Sequence, residues 1–316
     1  MATIAREGEA VVGGAIGRKK FNWTPYFFIL PHLIFFAVFL GYPFFRGLYM
    51  SFTQYDYLRP EATKFVGFHN YVRLFTPGDL TFNVFWNSMW NTVQFVLYSV
   101  PLLVVIPLGL AVLLNTKLPG RNFFRAVYFS PWVLSVAVIS LLWWWIFQSQ
   151  GGLMNHYLGQ MGLETPRWLS TLPAAWAAIV IATVWWTIGF NMIILLAALQ
   201  DIPGELYEAG QIDGATGPQA FFRITLPLLK PVMIFIIITT IIASFNLFGQ
   251  PLLMTRGDPR VAGGGGGTEP VMMRIYQEGF ANSAPDQGLA AAMSFVVAAI
   301  MIIVSVVNFR LFRQAD

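Results

Sequence analysis

Few residues in this chain are able to perform chemistry, and their spacing forms no catalytic or metal-binding set. There is no cysteine, which excludes disulfides, thiol nucleophiles and cysteine-ligated metal centres. The three histidines, His32, His69 and His156, are far apart and match no metal-binding motif. No Gly-Lys-Ser/Thr sequence of an ATP-binding loop occurs. We therefore expect no metal site, no cofactor bound by this chain and no enzymatic activity of its own.

One polar stretch, residues 202–231, lies between two long apolar runs and carries three of the fifteen acidic residues. Pro203 or Gly204 suits the start of a helix, and Glu205 and Glu208 suit its first turns, where acids favour the positive end. Gly214 suits the left-handed residue that ends a helix. The pattern predicts a helix, a turn and a second helix that begins near Pro218.

Two small residues, Ala209 and Gly210, lie within the first of these helices and allow another surface to approach closely. Asp213 follows them and is expected to cap or brace the loop. An amphipathic connector lying on the membrane surface is the alternative interpretation. A connector has no need of the small residues, whereas a docking element for another protein does.

The elements that carry this loop are apolar. The 316 residues are 56% hydrophobic and 11% charged, with a mean hydropathy of +0.61, whereas soluble proteins are about 25% charged. The composition therefore predicts an all-α, polytopic membrane protein. Runs of about 20 apolar residues predict six transmembrane helices, at 26–45, 90–114, 126–147, 174–199, 232–253 and 289–309. Pro227 and Pro231 are expected to break or kink the start of the fifth.

Basic residues predict the orientation of these helices. Arg18, Lys19 and Lys20 precede the first helix, and Lys117, Arg121 and Arg125 lie between the second and third. Arg310 and Arg313 follow the sixth, so the positive-inside rule places both termini in the cytoplasm. The loop at 202–231 then also faces the cytoplasm. Residues 1–20 are expected to form a cytoplasmic tail, and residues 21–316 the membrane domain.

Polar and aromatic side chains within the fourth and fifth helices are candidates for a solute pathway. Packing between helices is the alternative role for each of them. A separate run, Gly263–Gly267, is expected to be a flexible external linker. The pathway candidates are Thr183, Trp186, Thr187, Phe190, Asn191, Ser244, Phe245, Asn246 and Gln250.

The loop resembles a motif of bacterial ABC importer permeases, E-A-A, then G, then I-x-L-P, in the form found in the sugar and glycerol-phosphate branch. The matching residues are Glu208-Ala209-Gly210, Gly214 and Ile224-Thr225-Leu226-Pro227. Gly210 departs from the alanine that is usual there. Further similarity runs from Asn91-Thr92 in the second predicted helix to Ser294 in the sixth.

The resemblance implies the type I importer fold, with a cytoplasmic coupling helix. It implies a bacterial inner-membrane permease that works with a second homologous permease, a dimer of ATPase subunits using ATP and Mg, and an extracytoplasmic solute-binding protein. Glu208, Ala209, Gly210, Asp213 and Gly214 are the implied coupling residues. The implied cargo is a carbohydrate, with glycerol phosphate or another small polar solute as the alternative.

Other function classes fit the sequence less well. A membrane-embedded enzyme needs catalytic groups at one depth, yet acids and histidines are nearly absent from the predicted helices, apart from His32. A channel or signalling subunit has no reason to carry the coupling motif. No feature indicates nucleic-acid binding, and the expected surroundings are a lipid bilayer.

Overall fold

The computed structural model describes residues 24–313 except 56, 58, 117 and 261–263. The predicted cytoplasmic tail, residues 1–20, therefore lies outside the described residues. The described chain forms two compact units, one that ends at Arg46 and one that begins at Gly47. The first unit contains helix α1, Thr24–Phe36, and a π-helical turn, Ala37–Gly41; helix α2, Tyr42–Met50, crosses the boundary.

The second unit is mainly helical. It begins with two short antiparallel strands, β1 at Thr53–Gln54 and β2 at Lys64–Phe65. Its helices, in chain order, are α3 His69–Phe75, α4 Leu80–Leu114, α5 Arg121–Phe129, α6 Val136–Ile146, α7 Leu153–Gln160, α8 Ala174–Gln200, α9 Gly204–Ile212, α10 Gly217–Ala220, α11 Leu226–Phe245, α12 Val271–Tyr276 and α13 Gln287–Arg313. Shorter 3-10 and π-helical turns connect several of them.

Five helices in the described part of the chain are long and apolar enough to cross a membrane, and a bent pair makes six if it counts as one crossing. The all-α, multi-span prediction is thus confirmed. The third predicted helix, 126–147, corresponds to this bent pair, in which Arg121–Val133 and Val136–Ile146 meet at about 100°. Pro131 lies in the intervening 3-10 turn, and the Ser135 hydroxyl accepts a hydrogen bond from the Val138 N–H that starts α6.

The fifth span was also predicted at the wrong place. The helix runs continuously over Gly217–Phe245, earlier than the predicted 232–253. Pro227 lies in the first turn of α11, directly after a π-helical turn at Phe221–Thr225, and Pro231 lies inside α11. The helix nevertheless continues past both prolines, and the wider turn before Pro227 moves the preceding carbonyls away from its ring. These prolines therefore do not end the helix.

Helices α4, α8 and α11 pack together around one apolar core. The core is lined by buried aliphatic side chains from all three, among them Val104, Leu195 and Ile236. A polar contact joins two of them, because Nδ2 of the buried Asn191 on α8 donates to the Leu103 carbonyl on α4 at 2.8 Å. Leu103 lies four residues before Pro107, which has no N–H, so its carbonyl lacks the usual helical donor. Asn191 supplies the missing hydrogen bond.

The glycine run is folded where the structure describes it, so its prediction as a flexible linker was wrong for Gly264–Gly267. The Gly266 N–H donates to Glu269 Oε2 at 2.9 Å, and the Gly266 carbonyl accepts from Asn91 Nδ2 on α4 at 2.7 Å. A Cβ on Gly266 would lie 1.9 Å from the Gly257 carbonyl oxygen. Glycine is required there by close packing, which composition alone does not reveal.

Candidate functional site

A cavity of about 560 Å³ lies between α4, α8, α11 and the chain on both sides of the 100° bend. Its volume is within the range of small-molecule sites, about 300–1,000 Å³. Residues of α8 that are three or four positions apart, from Thr183 onward, line one side of the cavity. Residues of α11 from Thr239 onward line the other side. The turn after α11 closes one side, where a Cβ on Gly249 would lie 2.7 Å from Val136.

The structure brings eight of the nine predicted pathway residues to this one cavity. They are Thr183, Trp186, Thr187, Phe190, Asn191, Ser244, Asn246 and Gln250. Phe245 is the exception, because it is buried in a separate apolar cluster with Phe85, Met89 and Leu289. Phe245 follows Ser244 directly and so points to a different side of the helix, and its assignment to the pathway is corrected to a core role.

Trp132 is a cavity residue that the sequence reasoning did not identify. Its ring stacks on Phe190, with centroids 4.7 Å apart and planes at 22°, and lies 5.6 Å from the Trp186 ring. The Trp186 Nε1–H donates to the Leu134 carbonyl at 3.2 Å, which fixes the neighbouring ring against the bend. The only available signal was a Pro131-Trp132 pair in the middle of an apolar run.

The polar groups at the cavity differ in how they are already used. The amide of Asn191 is engaged with Leu103, and the Thr183 hydroxyl donates to the Ile179 carbonyl of its own helix. Ser244 lies 3.5 Å from Ser99 across the α4–α11 contact. The side chain of Gln250 is 5% exposed and forms no hydrogen bond with any described residue. Gln250 therefore keeps both the carbonyl oxygen and the NH2 group of its amide available to a solute.

The polar loop forms the predicted helix, turn and helix. Helix α9 ends at Ile212, and Gly214 adopts the left-handed conformation, with φ of 78°. The Ala215 N–H donates to the Gly210 carbonyl at 2.8 Å and the Gly214 N–H to the Gln211 carbonyl at 3.0 Å, which is a Schellman turn. The turn satisfies the last carbonyls of α9 and fixes the direction of the following chain.

The next helix is capped and tied back to α9. The Thr216 N–H donates to the Gln219 Oε1 at 2.8 Å, in a capping box that starts α10. The hydroxyls of Tyr207 on α9 and Thr225 lie 2.9 Å apart. Since Thr225 directly precedes α11, this hydrogen bond joins α9 to the start of that long helix.

Side-chain directions on α9 correct part of the predicted docking surface. Glu208, Ala209 and Asp213 are exposed. Gly210 instead faces the second helix, where a Cβ would lie 2.9 Å from Ile224 Cδ1. The absence of a side chain at Gly210 therefore allows close packing within the loop, and Gly210 is not part of the docking surface. That surface consists of Glu208, Ala209 and Asp213, and the neighbouring Ile212 is 87% exposed.

Two acidic groups outside the cavity have shifted pKa values. Burial raises the pKa of Glu269 above its usual range, more than the nearby Arg274 guanidinium and the Gly266 N–H lower it. Hydrogen bonds from Thr81 lower the pKa of Asp79 at the start of α4. Among the described residues, no group of three or more histidine or acidic side chains is placed to hold a metal ion.

Comparison with known proteins decides the family. Residues 75–315 match the family of binding-protein-dependent transport system inner membrane components. The chain belongs to this family. The permease is 33% identical over 288 residues to the sulfoquinovosyl glycerol transport system permease protein SmoG of Agrobacterium fabrum, covering 91% of this chain and 90% of that protein.

Another similar permease is the arabinooligosaccharides transport system protein AraP of Halalkalibacterium halodurans, which is 34% identical over 299 residues, covering 93% of this chain and 90% of that one. The permease fold is also that of a solved bacterial alginate ABC transporter in complex with an alginate-bound periplasmic protein. That match has a TM-score of 0.78 at 23% identity and covers 93% of this chain and 95% of the other. The assignment to the sugar-type ABC importer permeases is confirmed.

Proposed function

We propose that the permease carries a carbohydrate through the cavity between α4, α8 and α11, and that ATP and Mg are used by a dimer of separate ATPase subunits. A second homologous permease completes the pathway, and an extracytoplasmic binding protein delivers the sugar. Both termini and the α9 loop lie on the cytoplasmic side of the bacterial inner membrane. The relatives named for sulfoquinovosyl glycerol and arabinooligosaccharides support a carbohydrate cargo.

One observation supports the coupling role most strongly. The exposed Glu208 and Ala209 lie on a helix that is held by the Schellman turn and by the Tyr207–Thr225 hydrogen bond to the start of α11. The other end of α11 contributes Ser244 to the cavity. A force applied by an ATPase subunit to α9 therefore acts on a helix that lines the proposed sugar site.

The roles proposed within the loop follow from this geometry. Glu208 is the polar anchor to a basic group of the ATPase, and Ala209 allows its surface to approach. Gly214 provides the turn, Gly210 allows α9 to pack on Ile224, and the exposed Asp213 adds negative charge beside the contact. No residue of this chain acts chemically on ATP or on the sugar in this scheme.

Charge reversal tests the coupling role. In the assembled complex, Glu208→Arg is expected to reduce sugar uptake and solute-stimulated ATPase activity by about tenfold or more, because like charges at an interface cost several kcal/mol. Glu205→Arg is the matched control, since Glu205 is an exposed acid in the first turn of the same helix. Unchanged transport by a normally assembled Glu208→Arg complex would show that the loop does not couple.

Co-purification tests the assembly. A tagged permease expressed from its own operon is expected to bring down an ATPase and a second permease. Glycerol phosphate or another small polar solute remains the alternative cargo, and uptake of radiolabelled sugars and glycerol phosphate by the reconstituted importer distinguishes them.

A further inference from the structure

A second cavity, the lateral groove, has a volume of about 570 Å³ and lies between α4, α5, α6 and α8. On α8 it is lined by Ile181, Trp185 and Ile188, whereas Thr183 and Phe190 line the cavity of the proposed sugar pathway. With 3.6 residues per turn, these two sets lie on opposite sides of the helix. The lateral groove therefore opens away from the pathway and from the second permease that is proposed to complete it.

The lateral groove is apolar and lies on membrane-spanning helices. Its side chains are aliphatic or aromatic, apart from two hydroxyl groups. Along α8 it extends from Val180 to Ile188, which is about 12 Å at the rise of an α-helix. Ile181 and Trp185 are each 38% exposed, so the groove is open along its side. Because α4 and α8 are long and apolar enough to cross a membrane, lipid chains have direct access to it.

The two ends of the lateral groove differ. Trp143 marks one end, since its ring stacks on Phe147, which is buried in one cluster with residues at the start of α8. Tyr128 marks the other end, where its carbonyl oxygen would lie 2.0 Å from a Cβ on Gly189. Arg125 precedes Tyr128 by three residues on α5, so the two are neighbours on that helix. An arginine therefore lies next to one end of an apolar groove.

The guanidinium of Arg125 has no partner within the described part of the chain. Its Nε and Nη2 atoms are buried and form no hydrogen bond with any described residue. Arg121 lies four residues earlier on α5, and no described acidic side chain forms an ion pair with either arginine. The four helices around the groove contain no aspartate or glutamate. Like charges at this spacing destabilise a helix, and unpaired buried donors add a further cost, so an anion beside Arg125 would remove both.

We propose that the lateral groove binds an anionic phospholipid, with an acyl chain along α8 and the phosphate held by Arg125, next to Arg121. The planar guanidinium donates paired hydrogen bonds that fit a phosphate. Basic groups beside membrane-spanning helices recognise anionic lipid headgroups in this way. Free phosphate would pair with the arginine but leave the groove empty, whereas a phospholipid joins the charge and the hydrocarbon in one molecule. The site is independent of the cargo.

Lipid titration of the whole importer tests the inference. The complex with its partner permease and ATPase subunits is stripped of lipid in detergent, and bound lipid is counted by native mass spectrometry. Phosphatidylglycerol and phosphatidylcholine with identical acyl chains are compared. One site is expected to prefer phosphatidylglycerol about tenfold, because only that lipid carries a net negative charge. Inorganic phosphate is expected not to displace it.

Substitutions in this chain assign the site. Arg125→Gln is expected to abolish the preference for phosphatidylglycerol, whereas Arg125→Lys keeps part of it, because the charge remains without the paired donors. Arg310→Gln is the control, since Arg310 is exposed near the end of α13 and its loss removes the same charge. Ile181→Trp fills part of the groove and is expected to weaken binding of both lipids, which have the same chains.

A cryo-EM map of the unmodified importer in phosphatidylglycerol nanodiscs gives an independent test, which holds even where Arg125→Gln fails to assemble. Lipid density along α8 with its headgroup at Arg125 is expected. Three results would overturn the inference. These are equal affinity for the two lipids, an unchanged preference in an assembled Arg125→Gln complex, or an empty groove with Arg125 paired to an acidic side chain of another subunit.

Discussion

Replacement of Asn191 tests whether its amide repairs a broken helix. Helix α4 contains Pro107, so the Leu103 carbonyl four residues earlier has no backbone donor, and Asn191 Nδ2 fills that position at 2.8 Å. Asn191 is 4% exposed, so water has little access to the freed carbonyl in Asn191→Leu. Membrane hydrogen bonds average about 0.6 kcal/mol with a maximum near 1.7, and an unsatisfied buried group costs about 1–3. We expect a loss of about 1–2 kcal/mol.

A double-mutant cycle separates this role from any contact with solute. Pro107→Ala restores an N–H to α4, so Asn191→Leu is expected to cost about 1 kcal/mol less in that background. Stability is measured from the unfolding of the purified complex in increasing SDS. Asn246→Leu is the control, because the Asn246 amide bonds only to its own helix and is exposed. An Asn191→Leu loss of equal size in both backgrounds would refute the explanation.

Three further predictions concern packing, the loop and pH. Gly189→Ala is expected to lower stability by about 1–3 kcal/mol, because its Cβ would lie 2.0 Å from the Tyr128 carbonyl oxygen, and Gly109→Ala to be neutral or stabilising by up to about 1, since Gly109 has open space. Thermal unfolding of the two variants checks this, and equal losses would contradict it. Tyr207→Phe removes the hydrogen bond to Thr225, and ATPase stimulation by solute is expected to fall while basal ATPase activity is kept; full stimulation would show that the bond is dispensable. Burial raises the pKa of Glu269 above its usual 4.5, so its contribution to stability is fully present below pH 4.5 and declines as pH rises through the raised value. Glutamine cannot ionise, so Glu269→Gln is expected to reduce this decline. At pH 7 its melting temperature is expected to equal or exceed that of the unmodified protein. A steeper decline of stability with pH in the variant would contradict a raised pKa of Glu269.

Local chemistry predicted the α9 loop well. Gly214 ends α9 in the left-handed conformation and Pro218 lies in the first turn of α10, as the turn residues required. Residue type also predicted most of the cavity face of α8, because polar and aromatic side chains within an apolar run are the candidates for a solute pathway. These features depend on neighbours in the sequence, which is why the sequence alone sufficed.

The remaining features depend on contacts between distant segments. Gly210 was expected to face another protein, but Ile224 occupies the space that its side chain would need. Trp132 joins the cavity only because the 100° bend brings it against Phe190, 58 positions along the chain. Likewise, Gly264–Gly267 is held in place by hydrogen bonds between Gly266 and the side chains of Asn91 and Glu269. The glycine content of the run does not indicate these partners.

The continuity of α11 has a mechanical consequence. Its 20 residues span about 30 Å, with the Tyr207–Thr225 contact at one end and Ser244 at the other. If the start of the helix acts as the pivot of a rigid lever, a tilt of about 5° displaces the far end by roughly 2.6 Å over that length. Such a displacement is close to the length of a hydrogen bond, so under the proposed coupling a small rotation at α9 is enough to make or break contacts at the cavity.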